Sequence, residues 1–224
     1  MLHWLGFGLC HQLPVRSFFG GGVEFPVCAR DTGIYIGFVT SMLIMATTDR
    51  GRRRSEMPRA WVLVLGGVFL ALMGWDGVTS YAHWRSTTNE IRLITGLLAG
   101  YALPLVVVPL LNSSLWDRCS QDRVLADAKD VAIWLASIPV AFLVIWLGAS
   151  RAGLFFPLLT AACIIVTFVS VNLVIAGLLP VFEQRASRLL ALWPAVAAAA
   201  ALSAVEIAGS AWLKLWVESL VRTR

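Results

Sequence analysis

Charge is what this chain has least of. Only 14% of its 224 residues are Asp, Glu, Lys or Arg, against roughly a quarter in soluble domains. Hydrophobic residues make up 58% and mean hydropathy is +0.78, which together exclude an ordinary soluble fold and leave an integral membrane protein. Histidine and cysteine are also scarce, at three and four residues, so thiol or metal chemistry has few places to sit. Met1 to Leu9 lack a basic stretch and an apolar core running into a small-residue cleavage site, so no signal peptide is expected. There is no internal repeat. The formal net charge of +5 would suit nucleic acid, but the arginines flank apolar runs. That is the pattern of cytoplasmic orientation and anionic lipid contact, and it excludes nucleic acid as a partner.

The apolar runs, counted in units of about 20 residues, predict an all-α polytopic transmembrane bundle of about six spans. They fall at about 28–48, 60–82, 91–111, 131–149, 154–179 and 189–213. Residues 1–27 read as an outward-facing N-terminal loop, 28–217 as the bundle and 218–224 as a tail. Asp49 to Arg59 is the most basic loop and is expected in the cytoplasm, which puts the N-terminus outside a plasma membrane. The tail's basic residues oppose that orientation, but ten of the eighteen basic residues fall in the predicted cytoplasmic loops. Asn112 to Asp130 is polar with mixed charge, long enough for a short surface helix on the same side. Gly33 and Gly37 stand four apart, a spacing that admits a close helix neighbour.

Chemistry concentrates between Cys10 and Gly37. Cys10, His11, Cys28 and Asp31 are all zinc- or iron-ligand types, and the Gly20–Gly22 run lets the backbone fold them together. Cys28 and Asp31 share a helix face. The same two cysteines, facing an oxidising compartment, could instead form a disulfide, and the spacing leaves both readings open. Asp76 lies about 24 Å along its span and Glu206 about 26 Å along the last. Counted so, both acids reach the outer level expected for Arg85, Asn89 and Arg92. His3 and His83 read as incidental, Cys119 and Cys163 as remote from the site.

Cys10-His11-Gln12, Pro14, Arg16-Ser17-Phe18, Pro26, Cys28-Ala29-Arg30, Thr32-Gly33-Ile34-Tyr35 and Gly37 resemble the N-terminal signature of a family of bacterial and archaeal membrane proteins catalogued as domain of unknown function 2085. Asp76-Gly77, Arg85-Ser86-Thr87-Thr88-Asn89, Arg92 and Thr95-Gly96 are similar to its second signature. The likeness covers about the first half of the chain. The family pattern has a cysteine where this chain has Asp31, which removes a Cys-x-x-Cys dithiol and weakens affinity for thiophilic ions. The resemblance implies a site and no particular reaction.

Three functional expectations follow. The first is an enzyme-like outward site with a zinc or iron ion on Cys10, His11, Cys28 and Asp31. There Asp76 serves as acid, base or further ligand, and Arg85, Asn89 and Arg92 hold an anionic lipid or lipid-linked substrate. The second is a carrier using Asp76 and Glu206. The third is an assembly subunit stapled by a Cys10–Cys28 disulfide.

Overall fold

The computed structural model describes residues 2–184 and 186–222. Met1, Arg185, Thr223 and Arg224 lie outside it, two of them basic residues counted above. The helices in chain order are α1 (Leu2–Phe7), α2 (Ala29–Asp49), α3 (Ala60–Tyr81), α4 (Asn89–Ala102), α5 (Pro104–Leu115), α6 (Ala128–Gly148), α7 (Phe155–Gly177) and α8 (Trp193–Arg222). Four short strands, β1 (Phe19–Gly20), β2 (Val23–Glu24), β3 (Arg54–Glu56) and β4 (Ser120–Arg123), lie in the connections.

Five helical stretches are long and apolar enough to cross a membrane: Ala60–Tyr81, Asn89–Leu115, Ala128–Gly148, Phe155–Gly177 and Leu190–Leu220. The second joins α4 to α5 through Leu103, whose N–H still bonds Ala99 O at 3.2 Å, with Pro104 opening α5. At 21 residues α2 has a matching length but carries Arg30, Asp31 and Asp49. With it the bundle has the expected six.

The polar helix α2 is central because its neighbours satisfy it. Small residues let α4 press against it: a Cβ on Gly96 would fall 2.0 Å from Arg30 O, and one on Gly100 2.3 Å from Ile34 O. Gly33 and Gly37 meet the backbone of Leu93 and Leu97 in return. Both helices thus use the small-xxx-small spacing, at which backbones rather than side chains touch. Deeper in, Trp134 of α6 donates to Ser41 Oγ at 2.8 Å, and Tyr101 and Ser137 share a hydroxyl bond of 2.9 Å. The side-chain polar atoms of these four residues are thus partnered within the bundle rather than facing hydrocarbon alone.

The Asn112–Asp130 stretch corrects the expectation of a surface helix. α5 runs on to Leu115, and β4 then pairs in parallel with β3, Arg54 opposite Ser120. The reason lies in Arg54, which is buried and bonded to both Asp49 (3.4 Å) and Asp130 (3.0 Å). Drawing that charge inward brings the two loops together, and their backbones pair. Beyond Leu213 the last helix continues to Arg222. Its Lys214 donates to Phe7 O at 2.8 Å and Cys10 O at 3.0 Å, so the far part of α8 and the N-terminal segment meet at one end of the bundle. We call this the thiol end and the opposite one, around β3 and β4, the basic end.

Candidate thiol and arginine site

Gly21 and Gly22 have φ of 60° and 78°, the left-handed values that glycine adopts freely, and they reverse the chain between β1 and β2. The reversal lays Cys10 against Cys28, the residue that caps α2. Cys28 N donates to Cys10 Sγ at 3.4 Å, and Cys28 Sγ donates to Asp31 Oδ2 at 3.3 Å. One ligand atom from each of Cys10, Cys28 and Asp31 lies within 4.8 Å of the others. Gln12 fixes the approach by donating to His3 O at 2.7 Å and Pro26 O at 2.8 Å. The hydrogen bond with Cys28 holds the Cys10 thiol below its ordinary pKa, against burial and the nearby Asp31, which push it up.

Two sulfurs and one carboxylate suit zinc or ferrous iron, and bonds of about 2.0–2.3 Å ask the three only to draw somewhat closer. Three protein ligands would leave a fourth position open on such an ion. His11 stands apart from the trio. Its exposed ring faces Tyr81, with centroids 6.4 Å apart, because the neighbouring Cys10 turns inward while Gln12 takes a left-handed φ of 49°.

Beside the trio is an arginine group. Asp76, 1% exposed, is ion-paired to both Arg30 and Arg85. Thr95 Oγ1 donates to it at 3.4 Å. Arg85 also donates from Nε to Thr79 at 3.2 Å. A carboxylate shared by two guanidinium groups fixes where both stand, so Asp76 is placed to position arginines. Arg92 is 8% exposed and donates to Asn89 Oδ1 at 3.2 Å, while Asn89 Nδ2 donates to Val15 O at 3.3 Å. Arg16 lies over the Tyr81 ring, 5.4 Å from its centroid. Among the described residues no carboxylate is within ion-pair distance of Arg16 or Arg92.

These side chains surround a cavity of about 400 Å³ lined by Arg16, Arg85, Arg92, Ser86, Thr87 and Thr88, at the first turn of α4. A smaller recess next to it contains Cys10, His11, Cys28 and Arg30 and shares Arg16 and Arg92. The two spaces meet at the shared guanidinium groups. Cation, hydroxyl and helix N-terminus all favour an anion there.

The residues expected to act together do gather, with one exception besides His11. Glu206 pairs with Asn172 of α7 at 2.6 Å, about 25 Å along α7 from its thiol-end start at Phe155, so the two acids are not at one level. Arg16 and Arg30 were not expected as site residues. Arg30 carried a usable signal, since a cation at the start of a span needs a partner and Asp76 was the buried acid to supply it. His83, expected to be incidental, also lines the larger cavity.

The profile of a family described as "Predicted membrane protein (DUF2085)" matches residues 10–106. An uncharacterized protein of Methanocaldococcus jannaschii is 33% identical over 110 residues, which are 49% of this chain and 68% of that protein. One of Methanothermobacter thermautotrophicus is 36% identical over 95 residues, 42% of this chain and 80% of the relative. No solved structure matches. The matched residues 10–106 include the thiol trio, Asp76 and all four arginines around them.

Proposed function

We propose, since this chain belongs to the DUF2085 family of predicted membrane proteins, that its thiol end binds a phosphate-bearing anion of the bilayer surface. The ligand is a lipid headgroup or a lipid-linked substrate. One observation carries the reading: Arg92, buried beside a cavity of about 400 Å³, has no carboxylate partner among the described residues, while Arg16 and Arg85 line the same space. Three cations converging on one cavity repel each other, and an anion removes that repulsion. Asp76 keeps Arg85 and Arg30 in register, and Asn89 orients Arg92.

In this reading Cys10, Cys28 and Asp31 hold a zinc or iron ion, which when bound supplies a Lewis acid next to the anion. The test separates the two parts. Purified protein is titrated calorimetrically with a short-chain phosphatidic acid, with its phosphatidylcholine counterpart and with inorganic phosphate, and its metal content is measured. Binding of the phosphatidic acid that is weakened by Arg92→Gln supports the anion site, and equal binding of phosphatidylcholine sinks it. Metal below about a tenth of an equivalent, unchanged in Cys28→Ala, ends the metal part.

The short approach of Cys10 to Cys28 favours a second reading, in which the two thiols staple the N-terminal segment to α2. Mass mapping without reductant distinguishes them, because a full Cys10–Cys28 bridge leaves no thiolate for an ion. Both readings place the site outside a plasma membrane.

A further inference from the structure

Another cavity lies at the basic end, away from the thiol trio and its arginines. It encloses about 470 Å³. Its walls are apolar: Met42 and Met45 of α2, Val108 and Leu111 of α5, and Val124 and Leu125 following β4. Its rim is polar, formed by Asp49, Arg53, Arg54 and Asn112.

The charges on the rim do not cancel. Asp49 is fully engaged: its carboxylate accepts Arg53 N at 2.6 Å and Arg54 N at 3.3 Å, and pairs with Arg54 Nε at 3.4 Å. Arg54 is divided between Asp49 and Asp130, and Asn112 is spent on Arg54 O at 2.8 Å. Arg53 is the cation left over. Its guanidinium lies 3.5 Å from the centroid of the Trp116 ring, another residue of the cavity wall. Among the described residues it has no carboxylate within ion-pair distance. Its backbone sits at φ 54°, a conformation a long side chain adopts only when its surroundings impose it. The Asp49 carboxylate accepts the Arg53 N–H at this turn, and Arg53 lines the rim.

We propose that this is a second binding site, separate from the thiol end, for an alkyl chain carrying an anionic head, as in a fatty acid or an anionic phospholipid. The walls belong largely to helices at bilayer depth and the free cation stands where those helices end, so the cavity has the same two-part chemistry as such a molecule. Basic recesses between membrane helices bind anionic headgroups for this reason. Paired methionines adapt to chains of varying shape. A head without a chain would leave the apolar walls unfilled, and a chain without a charge would leave Arg53 unmatched. The proposal does not depend on what the thiol end binds.

The test uses the full chain in nanodiscs of zwitterionic lipid and a photoreactive dodecyl phosphate, with crosslinked residues mapped by mass spectrometry. Labelling is expected within 42–54 and 108–125 and is displaced by dodecyl phosphate but not by dodecyltrimethylammonium or inorganic phosphate. Arg53→Gln raises the half-saturating concentration about tenfold, the loss of one charge-assisted contact. Ala46→Trp, placed at an exposed position on the cavity wall, blocks labelling by filling the space. Arg151→Gln, on an exposed turn at the opposite end, leaves labelling as it was. Labelling spread over the lipid-facing sides of α3, α6 and α8, or equal displacement by the cationic amphiphile, overturns the proposal. So does displacement by inorganic phosphate alone, or a pattern indifferent to both Arg53→Gln and Ala46→Trp.

Discussion

Asp76 is the residue on which the arginine group depends. It is the shared counter-charge of Arg30 and Arg85, so removing it orphans two guanidinium groups, one of them 11% exposed. Breaking a buried pair from one side costs about 3–5 kcal/mol. Asp76→Asn is therefore expected to lower the thermal midpoint of the protein in detergent sharply, and adding Arg30→Met should recover part of that loss. If the double variant is less stable than Asp76→Asn alone, the pairing is not what holds the site. Arg92→Gln behaves oppositely, since it orphans no carboxylate and relieves repulsion among neighbouring cations. Its stability should be unchanged or slightly raised while phosphate affinity falls. The thiol trio was legible in the sequence because its reach is short: a helix spacing of three and a glycine turn bring it together. Arg16 was not, because its place over Tyr81 follows from folding of the N-terminal segment, which no periodicity reports. Glu206 was misplaced because counting from the start of a span gives the level of a residue only where the helix ends with the span, whereas α8 runs on to Arg222, about 24 Å beyond Glu206.

At the scale of elements, the contact of α2 with α4 positions everything above it. Arg30 O lies against Gly96, so the helix crossing that packs the core also fixes the height of Arg30 relative to Asp76. Gly96→Ala would force the backbones apart, an overpacking cost of roughly 1–3 kcal/mol, and should weaken phosphate binding along with stability. Gly74→Ala is the matched control, because nothing lies within 4 Å of its added carbon and a helix gains about 1 kcal/mol from the exchange. Equal effects of the two substitutions, measured by thermal unfolding in the same detergent, would refute the close crossing. Gly33 and Gly37 announced half of this contact, and the other half, Gly96 and Gly100, was visible at the same spacing. The β3–β4 pair was not, since three and four residues rich in charge cannot show strand alternation. Their pairing depends on a buried arginine that only the fold reveals.

Across the whole molecule, α8 is the loosest member, with 17% of its apolar window buried, yet it holds the N-terminal segment through Lys214. Lys214→Ala should raise hydrogen–deuterium exchange at residues 7–12 while leaving α2 and α4 protected, as expected of a local tie. Unchanged exchange in that segment would mean that Gln12 alone suffices to hold it. Asn172, Ser203 and Glu206 make a separate polar link between α7 and α8, with Asn172 donating to Ser203 at 3.0 Å. The six-span architecture could be read from hydropathy because the bilayer sets a minimum apolar length for each crossing. How the connections at the basic end meet could not.

The parallel pairing of β3 with β4 also sets an order of events in time. Every side chain named at the thiol end up to Arg92 and Thr95 is made before α5 is synthesised, whereas the basic-end cavity needs Val124 and Leu125 for its wall. A ribosome that has just released Leu115 has thus supplied the whole arginine group and only an unfinished cavity. The arginine group can assemble while the cavity still waits for the strand that closes it.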